Sequence, residues 1–175
     1  TISAVDAAAL VSASPAVDLS RHIREGERVL VMGAGGGMGS ILCQMLRLRG
    51  ASYMVGVSRS PDLLLASPIS CDDAIDYTTT DIFSAKKYVE NKFDVIVDLA
   101  GDGFRRLEEC VERNEPLIVK TAAEGGRFIT IVPPAGAIFE IHSVWDAINL
   151  FVVACLWKAF VSRTWYRSKL PKYTF

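Results

Sequence analysis

The sequence predicts a doubly wound α/β domain built on a parallel sheet. Three observations carry that prediction. Short apolar runs alternate with stretches of helical periodicity along most of the chain, which is the pattern of βαβ units. Five of the 13 glycines fall between Gly33 and Gly39, at the junction of the first apolar run and the first helical stretch. The chain has 175 residues, 50% of them hydrophobic and 22% charged. That suits one globular domain and excludes a disordered, collagen-like or coiled-coil chain.

Each element has its own local reason. Thr1 to Leu10 is Ala-rich and helix-prone, and Ser12 to Pro15 interrupts it. Ser20 to Gly26 is polar and closes in a turn at Glu25-Gly26. Arg28 to Met32 is a short apolar run, as a buried parallel strand requires. Gly39 to Leu48 is helical, because Ile41, Leu42, Met45, Leu46 and Leu48 recur at helical spacing and Gly50 follows as a stop. The alternation then repeats. Ser52–Val57, Ala74–Tyr77, Phe93–Leu99 and Arg127–Val132 read as strands, the last stopped by Pro133-Pro134. Pro61–Ala66, Asp81–Glu90 and Arg105–Arg113 read as helices, and Ser143–Val161 is the longest helical candidate. Lys172–Phe175 is β-prone.

Charge and cysteine usage narrow the function classes. Lys and Arg total 19 and Asp and Glu 20, a net charge of −1, so a globally basic nucleic-acid binder is not expected. Cys43, Cys71, Cys110 and Cys155 lie more than 25 residues apart, and His22 and His142 are the only histidines. No CxxC or Cys/His pair exists, so no metal site and no disulfide framework is expected. The longest charge-free apolar stretch, Ala147–Trp157, has 11 residues, against the ~20 that span a bilayer. No basic region followed by an apolar run stands at the N-terminus, so no signal peptide is read there.

The chemistry is concentrated in Gly33-Ala34-Gly35-Gly36-Gly37-Met38-Gly39, which lies between a strand and a helix. That is the context a dinucleotide fingerprint needs. Glycine allows a tight turn and the close approach of a pyrophosphate to bare backbone, and the helix N-terminus offers unpaired N–H groups. The spacing is Gly33-x-x-Gly36-x-x-Gly39, one residue longer than the strict form, since Met38 stands where Gly35 would call for a third glycine. No lysine follows, which excludes a P-loop. The competing reading is a structural Gly-rich turn.

Cofactor choice is read at the end of the second strand. An NAD site places an acid about 20 residues beyond the glycines, for the ribose 2′-OH. Here the residues are Val57-Ser58-Arg59-Ser60, without an acid. A hydroxyl and a guanidinium suit a 2′-phosphate. NADP(H) is therefore the expected cofactor, and the alternative is a solvated polar turn.

In order, VLVMGAGGGMG, VGVSRS, DDAIDYTTTDI, FDVIVDLAGDG and GGRFITIV resemble the nucleotide-binding domain of the medium-chain dehydrogenase/reductase superfamily. The longer Gly turn resembles its zinc-independent, quinone oxidoreductase-like branch. The resemblance covers roughly residues 20 to 135. It implies a Rossmann sheet of order 3-2-1-4-5 with the sixth strand missing or truncated. It also implies hydride transfer between NADPH and an enone, quinone or carbonyl. Gly33, Gly36, Gly37, Met38 and Gly39 are the implied pyrophosphate residues, and Ser58, Arg59 and Ser60 sit with Tyr77 near the adenosine 2′-phosphate. Ala100 and Gly101 match the turn that passes the nicotinamide ribose, and Ile131 and Val132 match the strand end beside the nicotinamide. Two departures stand out: Ser70-Cys71 replaces a usual Gly-Ala, and Val132-Pro133-Pro134 replaces a usual Gly-containing end.

The resemblance further implies that residues 1–25 are a helix or linker from a preceding, GroES-like domain, with 26–175 the dinucleotide-binding domain, truncated at its C-terminal end. A small-molecule substrate would then be met through that other domain, and the chain alone would turn over little or nothing. No nucleic-acid or membrane partner is expected, and a homodimer belongs to the full-length protein. A cytoplasmic location is expected, with a mitochondrial one open. No catalytic residue is assigned. A non-catalytic NADP-binding or interaction module is the alternative.

Three further features have plain structural readings. Asp72, Asp73 and Asp76 form an acidic cluster whose alternate carboxylates splay to opposite faces of a strand, read as solvated surface. Asp98, inside the fourth strand, is read as a structural hydrogen-bonding residue rather than a proton donor. The basic segment from Lys158 to Lys172, with its aromatic residues, is read as a helix with a solvated basic face.

Overall fold

A computed structural model describes residues 14–131 and 170–174. The elements in chain order are α1 (residues 14–20), β1 (Arg28–Met32), α2 (Gly37–Leu48), β2 (Tyr53–Ser58), α3 (Pro61–Leu65), β3 (Asp73–Asp76), α4 (Lys86–Glu90), β4 (Val95–Asp98), α5 (Gly103–Glu112), β5 (Arg127–Thr130) and β6 (Lys172–Thr174). The strands form one sheet of order β3-β2-β1-β4-β5-β6, and every pairing is parallel. The expected 3-2-1-4-5 order is observed. The sixth strand is short rather than missing: its three residues pair with β5, Arg127 opposite Lys172.

The central strands are apolar on both faces, and period-2 alternation sends their side chains to two separate cores. Val29, Val31, Met54, Val95 and Val97 pack with Ala16 and Leu19 of α1 and Leu42 and Leu46 of α2. Leu30, Met32, Val55, Val57 and Ile96 pack with Tyr88 of α4, Leu107 of α5 and Phe128 of β5. Burying a side chain such as Leu42 or Leu46 contributes about 1.5–3 kcal/mol. Together these contacts hold α2 rigidly behind the strand it follows. Cys43, Cys71 and Cys110 are free and buried within the same cores; Cys155 lies outside the described residues.

Two expectations on element bounds are corrected. The helix expected over Asp81–Glu90 is broken: Asp81 caps a 3-10 turn at Ile82–Ser84 by accepting the Phe83 N–H, and Ala85 is extended before α4 begins. Asp81 thus offers the backbone an alternative to a continuous helix. The strand expected over Phe93–Leu99 shortens to Val95–Asp98, with Phe93 making only an isolated bridge to Val119. The helix-prone Thr1–Leu10 segment lies outside the described residues, and a helix spans residues 14–20 with Pro15 in its first turn, where proline is tolerated. The helix expected over Ser143–Val161 and the basic segment from Lys158 to Lys169 lie outside the described residues. Among the described residues, no helix is long and apolar enough to cross a membrane.

The amino edge of the sheet is held by carboxylates. Asp94 accepts the Arg28 N–H at 2.8 Å and pairs with Lys120 Nζ at 2.6 Å. Burial pushes its carboxyl up, but these partners outweigh burial and hold it below the usual carboxylate range. A depressed folded-state value means stability that is present above the unfolded value of ~3.9 and is lost as pH falls through the folded one. Asp94→Ala is therefore expected to lower stability by about 1–3 kcal/mol at neutral pH. The difference from the parent should shrink below about pH 4, as read by thermal unfolding across pH.

Candidate functional site

The strand order reverses beside β1: β2 and β3 lie on one side, β4 and β5 on the other. A cleft opens at the carboxyl ends of these strands, where ligands of such sheets bind. It encloses about 960 Å³, and its walls come from Met32, Ser58, Tyr77 and Ala100, each at or just beyond the end of a different strand.

The floor is the Gly turn. Gly33 takes φ +79°, which glycine adopts without strain. The Ala34 N–H donates to the Val57 carbonyl at 3.0 Å, tying the turn to β2. Gly36 precedes α2 in extended conformation with no side-chain cap, and the first turn of α2 carries no acid. The Gly36 N–H closes onto Gly33 O at 3.2 Å, and the Ser40 N–H onto Gly36 O at 2.9 Å. No such partner among the described residues takes the N–H groups of Gly35, Gly37, Met38 or Gly39. Gly35, Gly36 and Gly37 are exposed. The turn therefore offers uncapped donors at the positive end of a 12-residue helix.

Gly39 plays a different part. A Cβ there would meet the Gly33 carbonyl oxygen at 2.3 Å and Ala34 Cα at 2.7 Å. Its bareness lets the helix close onto the turn, and it is buried rather than lining the cleft. Met38 packs against the core.

The β2 side supplies cationic and hydroxyl groups. Arg59 is exposed, and its Nε and Nη2 donate to Tyr77 Oη at 3.3 and 3.2 Å. The phenol thereby positions the guanidinium over the cleft. Ser58 Oγ accepts the Ser60 N–H at 3.2 Å, which leaves the Ser58 proton for another acceptor. A Cβ on Gly35 would stand 2.2 Å from Ser58 Oγ. The serine therefore reaches directly over the glycine turn. On the far wall, Thr78, Thr79 and Thr80 follow Tyr77, and Arg106 of α5 bridges Asp81 and Glu109.

Gly33, Gly36, Ser58, Arg59, Ser60, Tyr77 and Ala100 thus converge on one cleft. Gly37, Met38, Gly39, Gly101 and Ile131 do not line it, and Val132 lies outside the described residues. The sequence reading missed Thr78–Thr80, Asp81, Asp102 and Arg106. The threonines were reachable, since they directly follow a strand whose carboxyl end faces the cleft. Arg106 carried no such signal.

The neighbouring carboxylates have other partners. Asp72 accepts the Met54 N–H and pairs with Arg47 at 2.9 Å, and Asp73 takes the Tyr88 hydroxyl at 2.6 Å and Lys87. Asp76 accepts both the N–H and the hydroxyl of Thr78, which hold its carboxyl below the usual range. The three carboxylates of the cluster are exposed or part-exposed, and each has its own separate set of contacts. Among the described residues no group of His, Cys, Asp and Glu is arranged to hold a metal ion.

No family profile matches the chain. It is 39% identical over 93 residues to the medium chain reductase pydE of Acremonium sp, a match covering 51% of this chain and 25% of that protein. It is 31% identical over 122 residues to the 2-methylene-furan-3-one reductase of Solanum lycopersicum, covering 67% of this chain and 27% of that protein. The chain thus spans about a quarter of the length of the curated relatives it matches. Among solved structures, the quinone oxidoreductase of Pseudomonas syringae pv. Tomato DC3000 superimposes with a TM-score of 0.60 at 23% identity, over 86% of this chain and 45% of that one. A zinc-binding dehydrogenase from Sinorhizobium meliloti 1021, solved bound to NADP, gives a TM-score of 0.52 at 27% identity, over 82% and 40% of the two chains. In sequence the chain is thus similar to medium-chain reductases, and in fold, sheet order included, to the quinone oxidoreductase.

Proposed function

We propose that this chain forms the NADP(H)-binding domain of an oxidoreductase acting on an enone, quinone or carbonyl substrate. The observation that carries the reading is the pairing of two features in one cleft. A glycine turn with four N–H groups lacking a partner among the described residues lies beside Ser58, Arg59 and Tyr77, with no acid at the end of β2. The NADP-bound Sinorhizobium structure and the reductase relatives support it.

The cleft fits the cofactor by its own chemistry. Bare backbone at Gly35, Gly36 and Gly37 admits a pyrophosphate to the donors at the start of α2. Arg59, held by Tyr77, and the free hydroxyl proton of Ser58 would grip a 2′-phosphate. The turn at Ala100 would flank the other ribose. NADPH supplies the hydride, and the protein supplies orientation and electrostatics. The described residues give no reason to name a proton donor, and the substrate would be met outside them.

Calorimetric titration of the chain with NADPH and with NADH tests the reading. NADPH is expected to bind at least tenfold more tightly. Failure of both to bind at millimolar concentration sinks it, and leaves the Gly turn as a structural one.

A further inference from the structure

We propose that Cys43 and Cys71 are a modification site, a thiol pair that a hydroperoxide converts to a disulfide tying α2 to the segment entering β3, and that a thiol reductant reopens. Neither cysteine lines the cleft, and the proposal does not rest on the NADP(H) reading.

The geometry of α2 brings the two together. Cys43 and Arg47 are four positions apart on this helix and so share one of its faces. Arg47 Nη2 donates to the Ser70 carbonyl at 2.7 Å and to Asp72 Oδ2 at 2.9 Å. Those residues stand on either side of Cys71. The face of α2 that carries Cys43 therefore lies against Cys71, and both cysteines belong to the same core. The backbone that presents Cys71 is anchored, since the Cys71 N–H donates to the Leu64 carbonyl at 2.8 Å and the Ser70 N–H to the Ala66 carbonyl at 3.0 Å.

The two thiols are suited to different roles. Cys43 is 0% exposed and Cys71 is 6% exposed. Residues 65–68, just before Cys71, are exposed, and residues 69 and 70 are half-buried, so a small oxidant has the shorter way to Cys71. The bond that Cys43 donates holds the Cys71 thiol below the usual range, as does the Arg47 charge, against the effect of burial. The same bond and burial push the Cys43 thiol up. Cys71 is thus the attacking sulfur and Cys43 the resolving one. Cys110 lies in the other core, and burial pushes its thiol up.

The chemistry balances in two steps. The Cys71 thiolate attacks one oxygen of the hydroperoxide, the O–O bond breaks, and the leaving oxygen takes a proton to depart as an alcohol, or as water from hydrogen peroxide. Cys71 is then a sulfenic acid. The Cys43 sulfur attacks the Cys71 sulfur, the S–O bond breaks, and the hydroxyl leaves as water with the Cys43 proton. The thiol pair gives up two electrons and the peroxide accepts them.

The test treats the folded, reduced chain with hydrogen peroxide and maps its peptides without reduction. The expected product has lost about 2 Da, the two thiol hydrogens, and yields one cross-linked peptide pair joining Cys43 to Cys71, which dithiothreitol separates. Its melting temperature is expected to rise by about 5 °C or more, because the link closes a long loop in the unfolded chain. Cys71→Ala is expected to abolish the product. If that variant does not fold, the parent carries the test through alkylation of the denatured chain before and after oxidation, in which Cys43 and Cys71 are expected to become blocked together while Cys110 stays open. Stable oxygen addition at Cys71 without a cross-link, a disulfide through Cys110 or Cys155 instead, a melting temperature that falls, or thiols that stay reduced in the folded chain each overturns the proposal.

Discussion

Gly37→Val is expected to abolish dinucleotide binding, a loss of at least 100-fold, while the domain stays folded. A Cβ at Gly37 meets no atom within 4 Å, so the substitution is expected to leave the fold intact. It does fill the space in front of the uncapped N–H groups at the start of α2, which a phosphate must approach. The neighbouring Gly39→Ala is expected to behave oppositely. Its Cβ meets backbone at 2.3–2.9 Å, at Gly33 O and at the Cα and C of Ala34. Backbone cannot rotate away as a flexible side chain can, so turn and helix must part, at about 1–3 kcal/mol of stability. Thermal unfolding and NADPH titration on the two variants separate the effects. A Gly37→Val chain that still binds NADPH normally would place the cofactor elsewhere.

Arg59→Ala is expected to reduce NADPH affinity by about 10- to 100-fold and to leave NADH nearly unchanged. A charge-assisted hydrogen bond is worth roughly 1.5–3 kcal/mol, and NADH has no 2′-phosphate to receive it. Tyr77 sharpens the prediction. Its hydroxyl accepts from both Nε and Nη2, so the guanidinium is oriented before any ligand arrives. Tyr77→Phe should therefore also weaken NADPH, by only a few-fold, through a less ordered arginine. Because Arg59 is exposed, the preference for NADPH should shrink as salt rises. Equal affinities for NADPH and NADH in the parent, or a preference that ignores salt, would show that this edge does not read a 2′-phosphate.

The parts legible in the sequence share a local physical code. Arg28–Met32 and Val95–Asp98 read as strands because side chains alternating between two buried faces must nearly all be apolar. The Gly turn was legible because only glycine tolerates so close a packing of helix on turn, and that demand is written into residue type. Ser58 and Arg59 were legible through the rule that carboxyl ends of strands face the ligand.

The rest was decided by contacts between distant residues. Asp81 looked like part of a helix, but its carboxylate caps a 3-10 turn and pairs with Arg106, 25 positions along the chain. The resemblance put Tyr77 near Arg59, but the hydrogen bonds between them exist only because β3 lies beside β2 in register, Ser58 opposite Asp76. Lys172–Thr174 looked merely β-prone until β5 offered it an edge. Asp98 was legible as a hydrogen-bonding residue but not as the centre of a turn, since its three donors are ordinary backbone N–H groups. Periodicity and residue type determined which faces are buried and where backbone must be bare. Which polar groups meet was left to the tertiary structure, because a hydrogen bond depends on the distance and direction that two segments reach only after the sheet has closed.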